Sequence, residues 1–210
     1  MANTINNVHS VLLEMLQWFH HQCEKNGLRY YIVGGTMLGA VRHQGFIPWD
    51  DDIDVAMPRK DYLTFVQKYT KESHFPYTGE YPQNDNLDYP YVFAKVYDVR
   101  TSLIEHTRHL VKRRLYIDVF PLDGIGDSYE SACDNYQLIL KYLRLHDMSV
   151  CAFRGNRKWY KNASIILGRM LSPLFVSERF INNKINRLCE QRNFDSYEYV
   201  GNLVGNWGIK

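Results

Sequence analysis

The stretch GFIPWDDDIDVAMP, residues 45–58, constrains the fold more than any other part of the chain. It places Asp50, Asp51, Asp52 and Asp54 almost side by side and then runs on as aliphatic residues. From Asp52 onward acid and aliphatic side chains alternate, the pattern of a half-buried strand over residues 52–57. Side chains two apart on a strand share a face, with Cα atoms roughly 6.5–7 Å apart. Asp52 and Asp54 therefore point one way, and Ile53 and Val55 point into a core. Such a strand needs an apolar layer behind it and a polar cleft before it. The carboxylates also need a positive partner, since like charges this close repel. Two of them on one rigid face can grip a hard divalent cation through oxygen, with Mg2+ or Mn2+ the usual occupant. Asp50 and Asp51 read as loop residues of the turn, but Asp50 shares parity with the pair and could join it as a ligand, whereas Asp51 points elsewhere.

A calcium loop is the competing reading of the same acids. Asp50, Asp52 and Asp54 match its first three alternating ligands, but Val55 stands where the loop needs Gly and Asp61 where it needs a bidentate Glu. A solvated acidic turn would not need the aliphatic alternation.

Other elements surround this strand. Ile5, Val8, Leu12, Met15, Leu16, Phe19 and Cys23 recur at helical spacing over residues 4–26, with Thr4 as a cap and Gly27 as the stop. RYYIV (29–33) is a strand leading into Gly34-Gly35, and TMLGAVRHQ (36–44) a short helix. Pro58 suits the first position of a helix striped by Tyr62, Phe65, Val66 and Tyr69. Residues 74–90 read as loop. Residues 91–98, 102–106 and 114–120 read as strands, and 128–148 as a helix capped by Ser128. Residues 158–171 and 177–192 complete a helical half. The fold class is α+β, a small mixed sheet flanked by helices with a C-terminal helical region. The division is a core over 1–126 and a helical region over 127–210.

Composition excludes several classes. A net charge of +2 over 210 residues carries no field that calls for nucleic acid. The four cysteines form neither a CxxC nor a Cys/His cluster, so a zinc site is not expected and the thiols read as reduced, as in a cytoplasmic protein. The most apolar segment, ASIILGRMLSPLFV (163–176), is broken by Arg169 and Pro173 and is too short to span a bilayer.

Two further features complete a site. In YIVGGTMLGA, paired glycines after a strand let backbone N–H groups approach an anion at a helix N-terminus. In YIDVFP, Asp118 sits between Ile117 and Val119 and faces away from them, suited to bind metal or to act as a general base. Arg42 and Lys95 are the candidate phosphate contacts, the alternative for each being an ion pair with the aspartates themselves.

The run GGTMLGAVRHQGFIPWDDDIDVAMPRKDY resembles the signature of the LicD family, shared with fukutin-type enzymes. FAKVYD and YIDVFPLDG are similar to further blocks of that family, and the resemblance covers roughly residues 10–125 strongly. It implies a nucleotidyltransferase-like core marked by a Gly-Gly turn, an acid-x-acid strand and a later third acid. The activity implied is transfer of a phosphorylated alcohol, typically phosphocholine from CDP-choline, to a sugar hydroxyl of a cell-surface glycan such as teichoic acid, lipopolysaccharide or capsule. In that reading Asp52, Asp54 and Asp118 are catalytic and hold the metal, with Asp50 beside them, while Gly34, Gly35, Thr36, Arg42 and Lys95 bind the donor. Alternatives are transfer of a polyol or glycerol phosphate, transfer of a nucleotidyl group, and an inactive nucleotide-binding subunit. In the family a WG-x-K block is followed by a segment containing tyrosine and proline. This chain stops at NWGIK (206–210), so either a short member or a truncated one is expected.

Two basic stretches are weaker signals. RHLVKRRL (108–115) reads as a solvated hairpin face that could attract an anionic or lipid-linked acceptor. RGNRKWYK (154–161) reads as a basic loop before a core helix, or as a peripheral contact with the inner face of a membrane. Trp49, Tyr89, Tyr91 and Trp159 are available to face a quaternary ammonium.

Overall fold

In a computed structural model, the chain is described at residues 2–69, 74–82, 89, 91–106, 110–150, 159–160, 163, 166 and 178–204. It forms two compact units, one built from residues 1–81, 93–103 and 114–122, the other from 82–92, 104–113 and 123–210.

The first unit opens with helix α1 (Ala2–Asn26). Leu12, Met15, Phe19 and Cys23 on its inner stripe are at most 1% exposed. Gly27 ends it at φ +62°, where Leu28 N–H reaches back to the Cys23 carbonyl at 2.9 Å. The chain continues through β1 (Tyr31–Ile32), α2 (Gly34–His43), β2 (Ile53–Pro58), α3 (Arg59–Tyr69), β3 (Tyr77–Glu80) and β4 (Ala94–Asp98). A hairpin of β5 (Leu103–His106) and β6 (Leu110–Arg113) precedes the long strand β7 (Tyr116–Gly126). The sheet order is β1-β2-β7-β4-β3, with β2 parallel to β7 and the other pairs antiparallel.

Alternation fixes which face is apolar. Ile53, Val55 and Met57 of β2, Ile117 and Val119 of β7, and Ala94 and Val96 of β4 all enter one core. There they meet the α1 stripe and Tyr62, Phe65, Val66 and Tyr69 of α3. Burial of each large aliphatic side chain contributes about 1.5–3 kcal/mol. The intervening residues are thereby committed to the opposite face.

The second unit contains the end of β7, helix α4 (Tyr129–Val150), helix α5 (Glu178–Glu190), a short 3-10 turn (Phe194–Ser196) and β8 (Tyr199–Gly201). β8 pairs antiparallel with the Asp123–Gly126 end of β7. Ser128 caps α4 as expected, accepting from Ser131 N–H at 3.2 Å, while Ser131 Oγ accepts from Ser128 N–H at 3.1 Å.

Several boundaries differ from the sequence reading. α1 starts at Ala2, ahead of Thr4, so Thr4 is not its cap. β1 keeps only two of the five expected residues, because the Val33 carbonyl turns to accept from Met37 N–H at 3.2 Å and starts α2. Pro58 ends β2 instead of opening α3, and the strand expected at 91–98 begins at Ala94. β3 lies inside the expected 74–90 loop, and β7 runs six residues past Phe120 through Pro121. β6 falls in the 108–115 stretch read as a hairpin face, and β8 was not expected. Most of the 158–171 helix, the 163–176 segment and NWGIK fall outside the described residues. Among the described residues no helix is long and apolar enough to cross a membrane.

Candidate active site

The face of the sheet away from the core carries a row of charge. Asp54 on β2 is in register with Asp118 on β7, and Asp118 with Lys95 on β4. Lys95 Nζ donates to Asp118 Oδ1 at 2.6 Å, with side-chain exposures of 2% and 11%. The same ammonium stands 3.3 Å from the centroid of the Tyr116 ring and 5.6 Å from that of Phe93. Lys95 thus forms an ion pair with one of the aspartates.

The acids upstream gather differently. β2 begins at Ile53, so residues 50–52 lie before the strand, and Asp50 N–H closes a turn onto the Ile47 carbonyl at 2.9 Å. Strand parity does not apply in that turn. One carboxylate oxygen from each of Asp50, Asp51 and Asp52 comes within 4.8 Å of the others. Asp51 therefore does not point away from the cluster, contrary to the alternation argument. His9 on α1 supports the turn, with Nε2 2.6 Å from the Asp50 carbonyl and its ring stacked on Phe46 at 4.3 Å. No sequence signal marked His9, which is 41 positions from Asp50.

α2 abuts this cluster. Val33, its N-cap residue, makes no side-chain cap. Gly34 sits at φ +56°, a conformation that favours glycine and turns the chain from β1 into the helix. A Cβ built on Gly35 would lie 2.5 Å from Asp50 Oδ2, so only glycine lets that carboxylate approach the start of α2. A carboxylate is favourable there because the first N–H groups of a helix have no intrahelical acceptor. Thr36 Oγ1 accepts from the Asp54 N–H at 2.9 Å and ties the first turn of α2 to the acidic strand. Arg42 is exposed on the last turn of α2.

The electrostatics follow from this crowding. Burial first, then the charges of Asp52, Asp118 and Asp50, push the Asp54 carboxyl up to about 7, and Lys95 pulls it back only in part. Asp52 is also raised, by burial, by the charges of Asp50 and Asp51 and by a hydrogen bond with Asp50, again against Lys95. Carboxylates that repel one another this strongly, with oxygens within one coordination sphere, fit a divalent cation of the Mg2+ or Mn2+ type. Among the described residues, Asp50, Asp51 and Asp52 are the acids whose oxygens converge closely enough to hold one.

The candidate aromatics are divided between the units. Trp49 is 78% exposed in the first. In the second, Tyr89 and Tyr91 meet edge to face at 5.4 Å, and Trp159 is 79% exposed. Arg108 and the side chains of Lys112 and Arg113 lie outside the described residues, as does most of 154–161.

Comparison with known proteins adds to this geometry. The family model described as LicD/FKTN/FKRP, nucleotidyltransferase domain, matches residues 27–153. The chain is 36% identical over 206 residues to the lipopolysaccharide cholinephosphotransferase LicD of Haemophilus influenzae, covering 98% of this chain and 75% of that protein. It is 47% identical over 38 residues to the human and mouse ribitol 5-phosphate transferase FKRP, which is 18% of this chain and 8% of those proteins.

Proposed function

The chain belongs to the LicD family, and on that premise we propose that it transfers phosphocholine from CDP-choline to a hydroxyl of a cell-surface glycan. The observation that carries the chemistry is the acid row. Asp54 and Asp118 stand in register beside the converged carboxylates of Asp50, Asp51 and Asp52. Phosphoryl transfer asks mainly for positioning and charge neutralisation, and a carboxylate-rich cleft supplies both through a bound cation.

In the proposed reaction Asp52 and Asp54, with Asp50, hold Mg2+ or Mn2+, which when bound neutralises the donor diphosphate. The backbone N–H groups of Gly34, Gly35 and Thr36 donate to phosphate oxygens at the start of α2. Arg42 provides a positive charge at the other end of that short helix. Asp118 takes the proton of the attacking sugar hydroxyl. The new bond joins that oxygen to the choline-bearing phosphorus, the diphosphate bridge breaks, and CMP leaves with the bridging oxygen.

The relatives' names support this reading, one being a cholinephosphotransferase that acts on lipopolysaccharide. The short match to ribitol 5-phosphate transferases favours a second reading, in which a polyol phosphate is the group moved. With such donors the reaction would run in the cytoplasm, at the inner face of the membrane if the acceptor is lipid-linked. The test incubates the protein with Mg2+, a glycan acceptor and CDP-choline, CDP-ribitol or CDP-glycerol in turn, and weighs the product. CMP release with a phosphocholine increment is expected. A polyol phosphate increment selects the second reading, a nucleotide left on the acceptor overturns both, and absence of turnover with every donor points to a non-catalytic subunit.

A further inference from the structure

We propose that Lys95 is a built-in counter-cation of the acidic site, taking the Asp118 end of the carboxylate row so that the site binds one divalent cation and not two. The proposal rests on the metal-dependent reading above and concerns how many ions that site accepts.

The geometry around Asp118 leads to it. Where two ions act together in phosphoryl transfer they lie about 3.5–4 Å apart and share carboxylate ligands. Here Asp54 and Asp118 are neighbours across a parallel strand pair, the arrangement that would bridge two such ions. But Asp118 Oδ1 already receives Lys95 Nζ at 2.6 Å. The carboxylates whose oxygens come within 4.8 Å of one another are Asp50, Asp51 and Asp52, and neither Asp54 nor Asp118 is among them. The positive charge at the Asp118 end is therefore supplied by a side chain, and that at the Asp50–Asp52 end is left to a ligand.

Lys95 is held in that place. Its side chain is 2% exposed, and its ammonium lies against the Tyr116 ring at 3.3 Å. A cation over an aromatic face gains electrostatic attraction, and burial strengthens it. Strand register adds a backbone constraint, since the hydrogen-bonded β4–β7 ladder sets Lys95 opposite Asp118. A divalent ion entering beside Asp118 would have to displace a lysine whose side chain is only 2% exposed. Lys95 thus acts as a positioning residue. It orients Asp118 toward the acceptor hydroxyl and keeps it from becoming a metal ligand.

The test counts bound ions directly. Wild-type protein is titrated with Mn2+ alone, and free Mn2+ is read by electron paramagnetic resonance. One bound ion is expected in the wild type and in Lys95→Arg, and two in Lys95→Met, where Asp118 is released. Two ions in the wild type overturn the proposal and leave the metal-dependent reading intact, whereas no bound ion overturns that reading as well. One ion in a Lys95→Met protein with a cooperative melt also overturns it. Should Lys95→Met not fold, Asp118→Asn decides. The count stays at one if Asp118 is no ligand and falls to none at the concentration that saturates wild type if it is.

Discussion

The Asp50 carboxylate lies against Gly35 so closely that a Cβ built there would stand 2.5 Å from Oδ2 and 3.5 Å from Cγ. Gly35→Ala must therefore push the Asp50 side chain out of its place at the start of α2. Alanine is the better helix former by roughly 0.5–1 kcal/mol, so stability is expected to hold or rise slightly. Mn2+ affinity and transfer activity are expected to fall by about tenfold, roughly 1.4 kcal/mol. Gly34→Ala should do the reverse at first sight: at φ +56° it costs about 1–2 kcal/mol of stability. A Gly35→Ala protein with unchanged Mn2+ binding would show that Asp50 has no part in the metal site.

Thr36 joins α2 to the acidic strand through a single bond, Asp54 N–H to Oγ1 at 2.9 Å. Thr36→Val keeps the shape and leaves that partly buried N–H without its acceptor. The expected loss is about 1–2 kcal/mol in urea unfolding. Thr36→Ser should recover most of it. If valine and serine behave alike, the hydroxyl is not what holds the helix to the strand.

Asp54 makes metal-free stability depend on pH in a direction opposite to that of an ordinary salt-bridged acid. Its folded-state carboxyl is pushed up to about 7, first by burial and then by Asp52, Asp118 and Asp50. An unfolded chain ionises the same group near 3.9. The folded state thus binds the proton more tightly, and ionising Asp54 costs stability. The penalty is absent below about pH 4, grows between pH 4 and 7, and is complete above 7. Asp54→Asn should remove it, raising metal-free stability at pH 8 by on the order of 2–4 kcal/mol while abolishing transfer. Equal melting temperatures of wild type and Asp54→Asn at pH 8 without metal would contradict this account. Added Mg2+ should narrow the gap by stabilising only the wild type.

Periodicity exposed the core side of this fold and much less of its site. The stripe of α1 and the alternation through Ile53, Val55, Ile117 and Val119 reach the core as read, because burial on one face is a repeating constraint. The same alternation places Asp54 and Asp118 on the opposite face. β3 escaped notice because Tyr77 and Gly79 are its only inward residues, too few for a pattern amid proline and asparagine. β7 seemed to stop at Pro121, yet its proline occupies a strand position in the β2 pairing. The partners that shape the site are matters of tertiary contact. Lys95 meets Asp118 across 23 positions and His9 meets Asp50 across 41, and neither pairing leaves a local mark.

Asp51 is where the strand argument fails most usefully. Alternation sends it away from Asp52 and Asp54, but β2 starts only at Ile53, and the preceding turn lets neighbouring carboxylates converge. Its oxygen lies within 4.8 Å of those of Asp50 and Asp52, and its charge helps to raise the Asp52 carboxyl. Asp51→Asn should therefore weaken Mn2+ binding by about tenfold, close to 1.4 kcal/mol, with little change in folding stability because Asp51 is exposed. Asp61→Asn, on α3 and bonded to Arg29 at 2.8 Å, is the matched control that removes one acid from the same unit. Calorimetric titration with Mn2+ separates the two. If both variants bind alike, the effect is one of net charge, and Asp51 is a bystander as the strand pattern would have it.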